Sequence, residues 1–324
     1  MKNIAVFTSG GDSPGMNACV RAVVRTGLSM GFKVFGIRYG YEGMIDGDII
    51  PMDSKSVSNI MQLGGTILCT ARSERFMTTE GRKLAYEQLK KHEIDAVVAI
   101  GGNGTFTGAK VFMQEFPDVK FVGTPGTIDN DLYGTDFTIG FDTAVNTAMN
   151  AIDNIKDTAN AHNRLFFVEV MGRDAGFIAM TTGIATGAEA ILVPETPTDM
   201  NKLIGILDNR RKNNKSSSAI VVVAEGDEFG GAMEAAAEAK KSLPGYDIRV
   251  TILGHIQRGG RPSCTDRVLA TRLGLEAVRA LADNKSGVMI GQIHKEIVFI
   301  PFDKAIKYNQ RINPIMLEMV DILS

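Results

Sequence analysis

The segment TPGTIDNDLYGT places two carboxylates two residues apart, Asp129 and Asp131, just after the turn Pro125-Gly126. A carboxylate beside a bound ligand can take the proton of an attacking hydroxyl, an aid worth about 10²–10⁴-fold in rate. The same residues also suit an Asx-rich turn in which Asp129 and Asn130 bond their own backbone. Arg72, Arg164, Arg173, Arg249 and Arg258 each stand beside a strand end or a glycine loop. Their guanidinium forks match phosphate oxygens two at a time. A base on a hydroxyl, cations on phosphate oxygens and a metal ion are the parts that phosphoryl transfer needs, because the reaction asks for little covalent help from the protein.

Two glycine loops suit anion sites, or plain turns after strands. In DAVVAIGGNGTFTGAKVF a buried strand runs into Gly101-Gly102-Asn103-Gly104-Thr105 and then a helix. Glycines allow close backbone approach, the helix start offers free N–H groups and partial positive charge, and Thr105 adds a hydroxyl. Walker A spacing is absent, and Thr107 stands where the third glycine of a dinucleotide fingerprint would be. In TSGGDSPGMNACVRAVVR, Ser9-Gly10-Gly11-Asp12 turns in the same way into a helix near Met16, with Gly11 against a phosphate. Arg21 and Arg25, four apart, share one face of that helix. In LGHIQRGGRP, His255 and Arg258 leave a strand together, so His255 suits a bond to a sugar phosphate or a turn cap.

The elements that must position these loops follow a repeating order. Apolar, β-branched runs at 3–8, 33–38, 95–100, 120–124, 165–171, 190–194, 218–224 and 249–253 read as buried strands. Helical patterns such as 80–93, 141–161 and 198–212 lie between them. That rhythm predicts an α/β fold of mostly parallel sheets with helices on both faces. The loops with chemistry all follow strands, where open α/β sheets bind ligands.

Composition narrows the class. The chain has 324 residues, 44% hydrophobic and 22% charged, with a net charge of −2. The length allows two domains of about 150 residues. No basic run marks a nucleic-acid surface. No run of about 18 apolar residues predicts a membrane span, and the apolar start MKNIAVFTSGG is too short for a signal peptide. The three cysteines, Cys19, Cys69 and Cys264, show no metal-ligand spacing and read as reduced thiols.

Together, GGDSPGMNA at the start, GGNGT at 101–105, PGTIDND at 125–131, MGRDAG at 171–176, VPE at 193–195 and LGHIQRGGRP at 253–262 resemble the phosphofructokinase family, over about residues 1–265. The resemblance implies transfer of the terminal phosphoryl of ATP to the 1-hydroxyl of fructose 6-phosphate, a step of glycolysis in the cytoplasm. It implies two α/β lobes with the site in the cleft between them. An ATP-binding lobe would comprise 1–140 plus about 257–305, and a sugar-phosphate lobe 141–256 plus about 306–324. Asp129 would be the general base, with Thr127, Arg72 and Arg173 assisting the transfer. Gly11, Arg72, Ser73, Gly102, Asn103, Gly104 and Thr105 would hold ATP. Thr127, Ile128, Asp129, Met171, Gly172, Arg173, Glu225, His255 and Arg258 would hold the sugar phosphate, joined by Arg164 and Arg249 from a neighbouring subunit of a homotetramer. Mg²⁺ would be held by Asp129, Asp131 and Asn103, although Asn103 departs from the family's Asp.

Arg21, Arg25, Lys156, Gly187 and Glu189 match an effector site for ADP or phosphoenolpyruvate. The basic cluster RRKNNKSSS at 210–218 departs from strongly regulated members, which carry lysines nearer the following strand. Gly104 and Gly126 match the ATP-using branch, since pyrophosphate users carry Asp and Lys there. Pyrophosphate as donor, a different phosphosugar as acceptor, and a catalytically weak effector-binding subunit are the alternatives.

Overall fold

The computed structural model describes residues 2–213, 218–308 and 310–323. Four of the nine residues of the basic cluster at 210–218, residues 214–217, lie outside the described residues. The chain opens with β1 (Asn3–Thr8), α1 (Met16–Ser29), β2 (Lys33–Ile37), α2 (Gly40–Asp46) and β3 (Ile49–Met52). Next come α3 (Thr79–Lys91), β4 (Ala96–Gly101), α4 (Asn103–Glu115), β5 (Lys120–Pro125) and α5 (Phe141–His162). The following stretch holds β6 (Arg164–Val170), α6 (Phe177–Thr186), β7 (Ala190–Leu192), α7 (Met200–Asn213), β8 (Ala219–Ala224), α8 (Ala232–Ser242) and β9 (Asp247–Ile252). Last are α9 (Cys264–Ala282), β10 (Val288–Ile293), β11 (Glu296–Pro301), α10 (Phe302–Lys307) and α11 (Pro314–Leu323).

These elements form two compact units. The first comprises Met1–Ile128, Leu132–Thr143 and Arg258–Gln310. Its seven-stranded sheet has the order β11-β10-β5-β4-β1-β2-β3. β10, β5, β4, β1 and β2 run parallel, and β11 and β3 close the two edges antiparallel. Because side chains alternate along a strand, Ile4, Val6, Val98 and Ile100 face one core with α1 and α9, while Ala5, Phe7, Val97 and Ala99 face another that includes Phe106, Phe112 and Phe121. Burial on both faces is why these strands are continuous apolar runs.

The second unit comprises Asp129–Asp131, Ala144–Gln257 and Arg311–Ser324. Its sheet, β7-β8-β6-β9, is parallel throughout. Leu165, Phe167, Val221 and Val223 pack with Leu203, Leu207, Ala235 and Ala239 of α7 and α8. The parallel sheets flanked by helices are those expected from the sequence. No helix among the described residues is long and apolar enough to cross a membrane. The three cysteines are free, and burial pushes the Cys19 thiol up to about 12, which leaves it unreactive.

Candidate active site

In the first unit, strand order reverses between β1 and β4. The chain passes from β1 outward through β2 to the edge, then returns to place β4 on the other side of β1. Such a switch point leaves a crevice beyond the strand ends. The loops that flank it are Ser9–Gly15, leading into α1, and Gly101-Gly102, leading into α4; Ser9 N–H donates to Ile100 C=O at 3.0 Å. Neither helix start has a side-chain cap or an acidic residue in its first turn. Two uncapped helix starts side by side offer N–H groups and positive potential to an anion.

Glycine meets different surroundings at three of these positions. A side chain on Gly11 would run into the guanidinium of Arg258, which lies over it and donates to Asp12 C=O at 3.3 Å. Gly11 thus faces an arginine that the sequence grouped with the sugar phosphate. At Gly126 a Cβ would stand 3.0 Å from both Ile100 Cγ2 and Met16 Cε, so that position is tight. At Gly104, the second residue of α4, a Cβ would meet nothing within 4 Å. Helix α4 begins at Asn103, so Asn103, Gly104 and Thr105 belong to its first turn rather than to a loop before it. Thr105 is buried, and its hydroxyl donates to Ser9 C=O at 3.3 Å, tying the two loops together.

Arg72 is exposed on a segment clamped at several points. Ser73 Oγ donates to the Glu42 carboxylate and accepts from Phe76 N–H at 3.1 Å. Arg75 bonds Glu42 at 2.5 Å and Asp46 at 2.9 Å. Arg82 gathers Phe76 C=O at 3.0 Å and Met77 C=O at 2.7 Å while holding Glu115 through two bonds. The role of Glu42 and Arg82 as supports was not visible in sequence, because their partners are about 30 residues or more away along the chain.

The turn after β5 is pinned from behind. Ile139 N–H donates to Pro125 C=O at 2.8 Å, and Thr138 Oγ1 donates to Thr127 C=O at 2.6 Å. The start of α5 is fixed by the buried Asp266 carboxylate, which accepts from Gly140 N–H and Thr143 N–H, each at 2.8 Å. Thr127, Ile128 and Asp129 are buried, and Asn130 takes the left-handed conformation at φ 53°. Burial, and next the negative charge of Asp129, push the Asp131 carboxyl up to about 6, against a smaller opposing pull from Arg173. Two carboxylates that disfavour each other's charge are oxygen donors suited to a hard cation.

The second unit presents the remaining candidates from the ends of β6, β8 and β9. Met171 and Gly172 are buried, and Met171 N–H donates to Gln257 Oε1 at 3.2 Å. Arg173 is exposed with φ 55°, and its N–H donates to Glu225 Oε1 at 2.7 Å. A non-glycine residue in that region stores strain that its surroundings must hold, a frequent feature of functional loops. Here Glu225 holds it, and Gly226 passes so close to Arg173 C=O that no side chain would fit. His255 is exposed in a short turn. Arg164 and Arg249 are brought together on one carboxylate, that of Asp247, which was not among the residues singled out by type and spacing. Its signal was the alternation Asp247-Ile248-Arg249, which puts acid and base on one strand face.

The effector candidates are drawn from both units. Lys156 Nζ donates to Thr186 C=O and, at 3.3 Å, to Gly187 C=O at the end of α6, a position favourable for a cation. Glu189 is buried, accepting from Ile220 N–H at 2.6 Å and pairing with Arg210 at 2.9 Å. Arg21 and Arg25 lie on α1 of the first unit, half-buried and exposed respectively.

The family model described as Phosphofructokinase matches residues 3–281. Over its whole length the chain is 54% identical to a protein named ATP-dependent 6-phosphofructokinase 2 from Bacteroides thetaiotaomicron, covering 98% of it. It is 53% identical to ATP-dependent 6-phosphofructokinase 1 of Thermus thermophilus, with 100% of both chains covered. Among solved structures, a phosphofructokinase from Saccharomyces cerevisiae matches with a TM-score of 0.89 at 39% identity over 95% of this chain, which spans 45% of the yeast chain.

Proposed function

We infer that this chain, which belongs to the phosphofructokinase family, transfers the terminal phosphoryl group of ATP to the 1-hydroxyl of fructose 6-phosphate. The products are ADP and fructose 1,6-bisphosphate, and the reaction is a step of glycolysis. The observation that carries this reading is the identity of 53–54% over the full chain with proteins named ATP-dependent 6-phosphofructokinases. The open space at Gly104 supports ATP as the donor, because the first turn of α4 carries no carboxylate to repel its phosphates.

In this reading Asp129 takes the proton of the sugar 1-hydroxyl as that oxygen bonds to the γ-phosphorus and the bond from phosphorus to the β–γ bridging oxygen breaks. Thr127 and Ile128 fix the approach to the sugar. Arg72 and Arg173 offset charge on the transferring group, where electrostatic stabilisation does most of the work. The loop at Gly11 and the helix start at Gly102, Asn103, Gly104 and Thr105 bind ATP phosphates, beside Arg72 and Ser73. Met171, Gly172, Glu225, His255 and Arg258 bind the sugar phosphate, and Arg164 and Arg249 reach it from a neighbouring subunit of a homotetramer.

Mg²⁺ belongs to the same proposal. Asp129 and Asp131, with the Asn103 amide, are the oxygen donors that would hold it, in the usual manner of one or two carboxylates plus substrate phosphates. Bound there, it would supply positive charge to the phosphate oxygens. Regulation by ADP or phosphoenolpyruvate through Arg21, Arg25, Lys156, Gly187 and Glu189, and a cytoplasmic location, complete the proposal.

Asp129→Ser tests the base. Fructose 6-phosphate binding, followed by equilibrium dialysis, is expected to stay within a few-fold, and kcat to fall by at least about 10²-fold. A variant that keeps most of its turnover removes Asp129 from that role.

A further inference from the structure

β9 is the outer strand of the second sheet, and its parallel register against β6 sets Asp247 opposite Arg164 and Arg249 opposite Phe166. Asp247 and Arg249, two apart, therefore point to the same side. Arg164 Nε donates to Asp247 Oδ2 at 2.7 Å. Arg249 Nε pairs with Asp247 Oδ1 at 3.1 Å, and its Nη2 donates to Oδ2 at 3.2 Å. One carboxylate thus bridges two guanidinium groups.

Which edge of each guanidinium is used matters. The carboxylate takes the Nε of both arginines. Among the described residues, no hydrogen bond occupies the Nη groups of Arg164 or Nη1 of Arg249, so these N–H groups remain available, whereas Nη2 of Arg249 is shared with Asp247. The Nη groups left over can donate to a phosphate while the carboxylate keeps the Nε edge. The three side chains keep solvent access, at 27% for Arg164, 53% for Arg249 and 47% for Asp247.

We propose that Asp247 is a positioning residue for the sugar phosphate, holding Arg164 and Arg249 by their Nε edges so that their distal N–H groups form one clamp for a phosphate dianion. This rests on the assignment of both arginines to that phosphate. Two physical effects give Asp247 its value. Left alone, two neighbouring guanidinium groups repel, and a carboxylate between them removes that repulsion. Long arginine side chains also lose rotamer freedom on binding, and ordering them beforehand reduces that loss. The trio keeps one net positive charge to attract the anion. The low proton affinity of Asp247, caused first by its bond to Arg164, keeps the bridge ionised at neutral pH.

The test uses the full-length protein, with Asp247→Asn, Asp247→Glu and Arg249→Ala compared by steady-state kinetics in both substrates, equilibrium dialysis of fructose 6-phosphate without ATP, and thermal unfolding. Asp247→Asn is expected to raise the half-saturating fructose 6-phosphate concentration about five- to tenfold. Its kcat and its half-saturating ATP should stay within about twofold, the mark of lost uniform binding. Asp247→Glu should recover most of the loss, and Arg249→Ala should raise the same constant. If Arg249→Ala weakens fructose 6-phosphate binding but Asp247→Asn leaves it unchanged or tightens it, Asp247 is not a positioning residue, and the assignment of the arginines stands. If Arg249→Ala itself has no effect, that assignment fails and the role of Asp247 with it. If Asp247→Asn lowers kcat and ATP binding in step with sugar binding and melts early, without recovery in Asp247→Glu, the role is structural and the proposal is overturned.

Discussion

Gly104→Asp is expected to stabilise the protein and to cripple it with ATP. Position 104 is the second residue of α4, exposed, with nothing within 4 Å of where a Cβ would stand. Replacing a helical glycine gains about 0.5–1 kcal/mol with alanine and less with aspartate, a poorer helix former. An acidic side chain in a first turn that now has none adds about 0.3–1 kcal/mol through the helix dipole. The folded state should therefore gain about 1 kcal/mol and melt about 2–4 °C higher. The same carboxylate would stand beside the triphosphate. At about 4–8 Å and an effective dielectric of about 20, each like-charge pair costs about 2–4 kcal/mol. That corresponds to a loss of about 30- to 10³-fold in kcat/KM for ATP. Initial rates across ATP concentrations, with thermal unfolding of the same preparations, check both halves. A variant that keeps ATP kcat/KM within about threefold refutes the placement of the nucleotide at this helix. One that melts early refutes the helical reading of Gly104. Gly126→Lys makes the contrast: there a Cβ presses on Ile100 and Met16 at 3.0 Å, so it should destabilise.

Two further expectations concern the frame around the site. The buried Arg82 holds the Glu115 carboxylate below its ordinary value, chiefly through their direct bonds. As pH falls, the unfolded chain takes up that proton before the folded one does. The stabilisation is therefore present at neutral pH and fades as acid titrates the folded carboxylate. Glu115→Gln should cost about 1 kcal/mol at pH 7, limited by the solvent contact of Glu115, and the gap should narrow toward pH 4 in denaturant titrations; a gap independent of pH would contradict this. Ser13 is fully buried, and its Oγ has no hydrogen-bond partner among the described residues. Ser13→Ala should raise unfolding free energy by about 1 kcal/mol in the same assay, and a loss would show that the hydroxyl is satisfied.

The central strands were legible because they are buried on both faces: β1, β4 and β8 are fully buried, and so each reads as an unbroken apolar run. The sheet edges were not. β3 is four residues containing Pro51, and strand patterns normally exclude proline except at edges. The β10–β11 hairpin turns on His294 and Lys295, both at positive φ, in place of the usual Asn-Gly pair. At the site, the glycine loops were legible because a side chain would crowd the Arg258 guanidinium at Gly11 and Ile100 and Met16 at Gly126. Partnerships set by strand register were not legible. Asp247 meets Arg164 across 83 residues, and Glu42 meets Ser73 across 31, so no local pattern announces either. The bonds of the Glu189 carboxylate to Ile220 N–H and Arg210 were likewise not legible.

The most direct test of phosphoryl transfer from ATP is to follow fructose 1,6-bisphosphate formation from fructose 6-phosphate and Mg²⁺ with ATP and, in parallel, with pyrophosphate. Product formation with ATP and none with pyrophosphate is the predicted result. Turnover with pyrophosphate would contradict the roles given to Gly104 and Gly126. No product with either donor would contradict the activity itself and point to Asn103, where the family carries an acid, as the disabling residue.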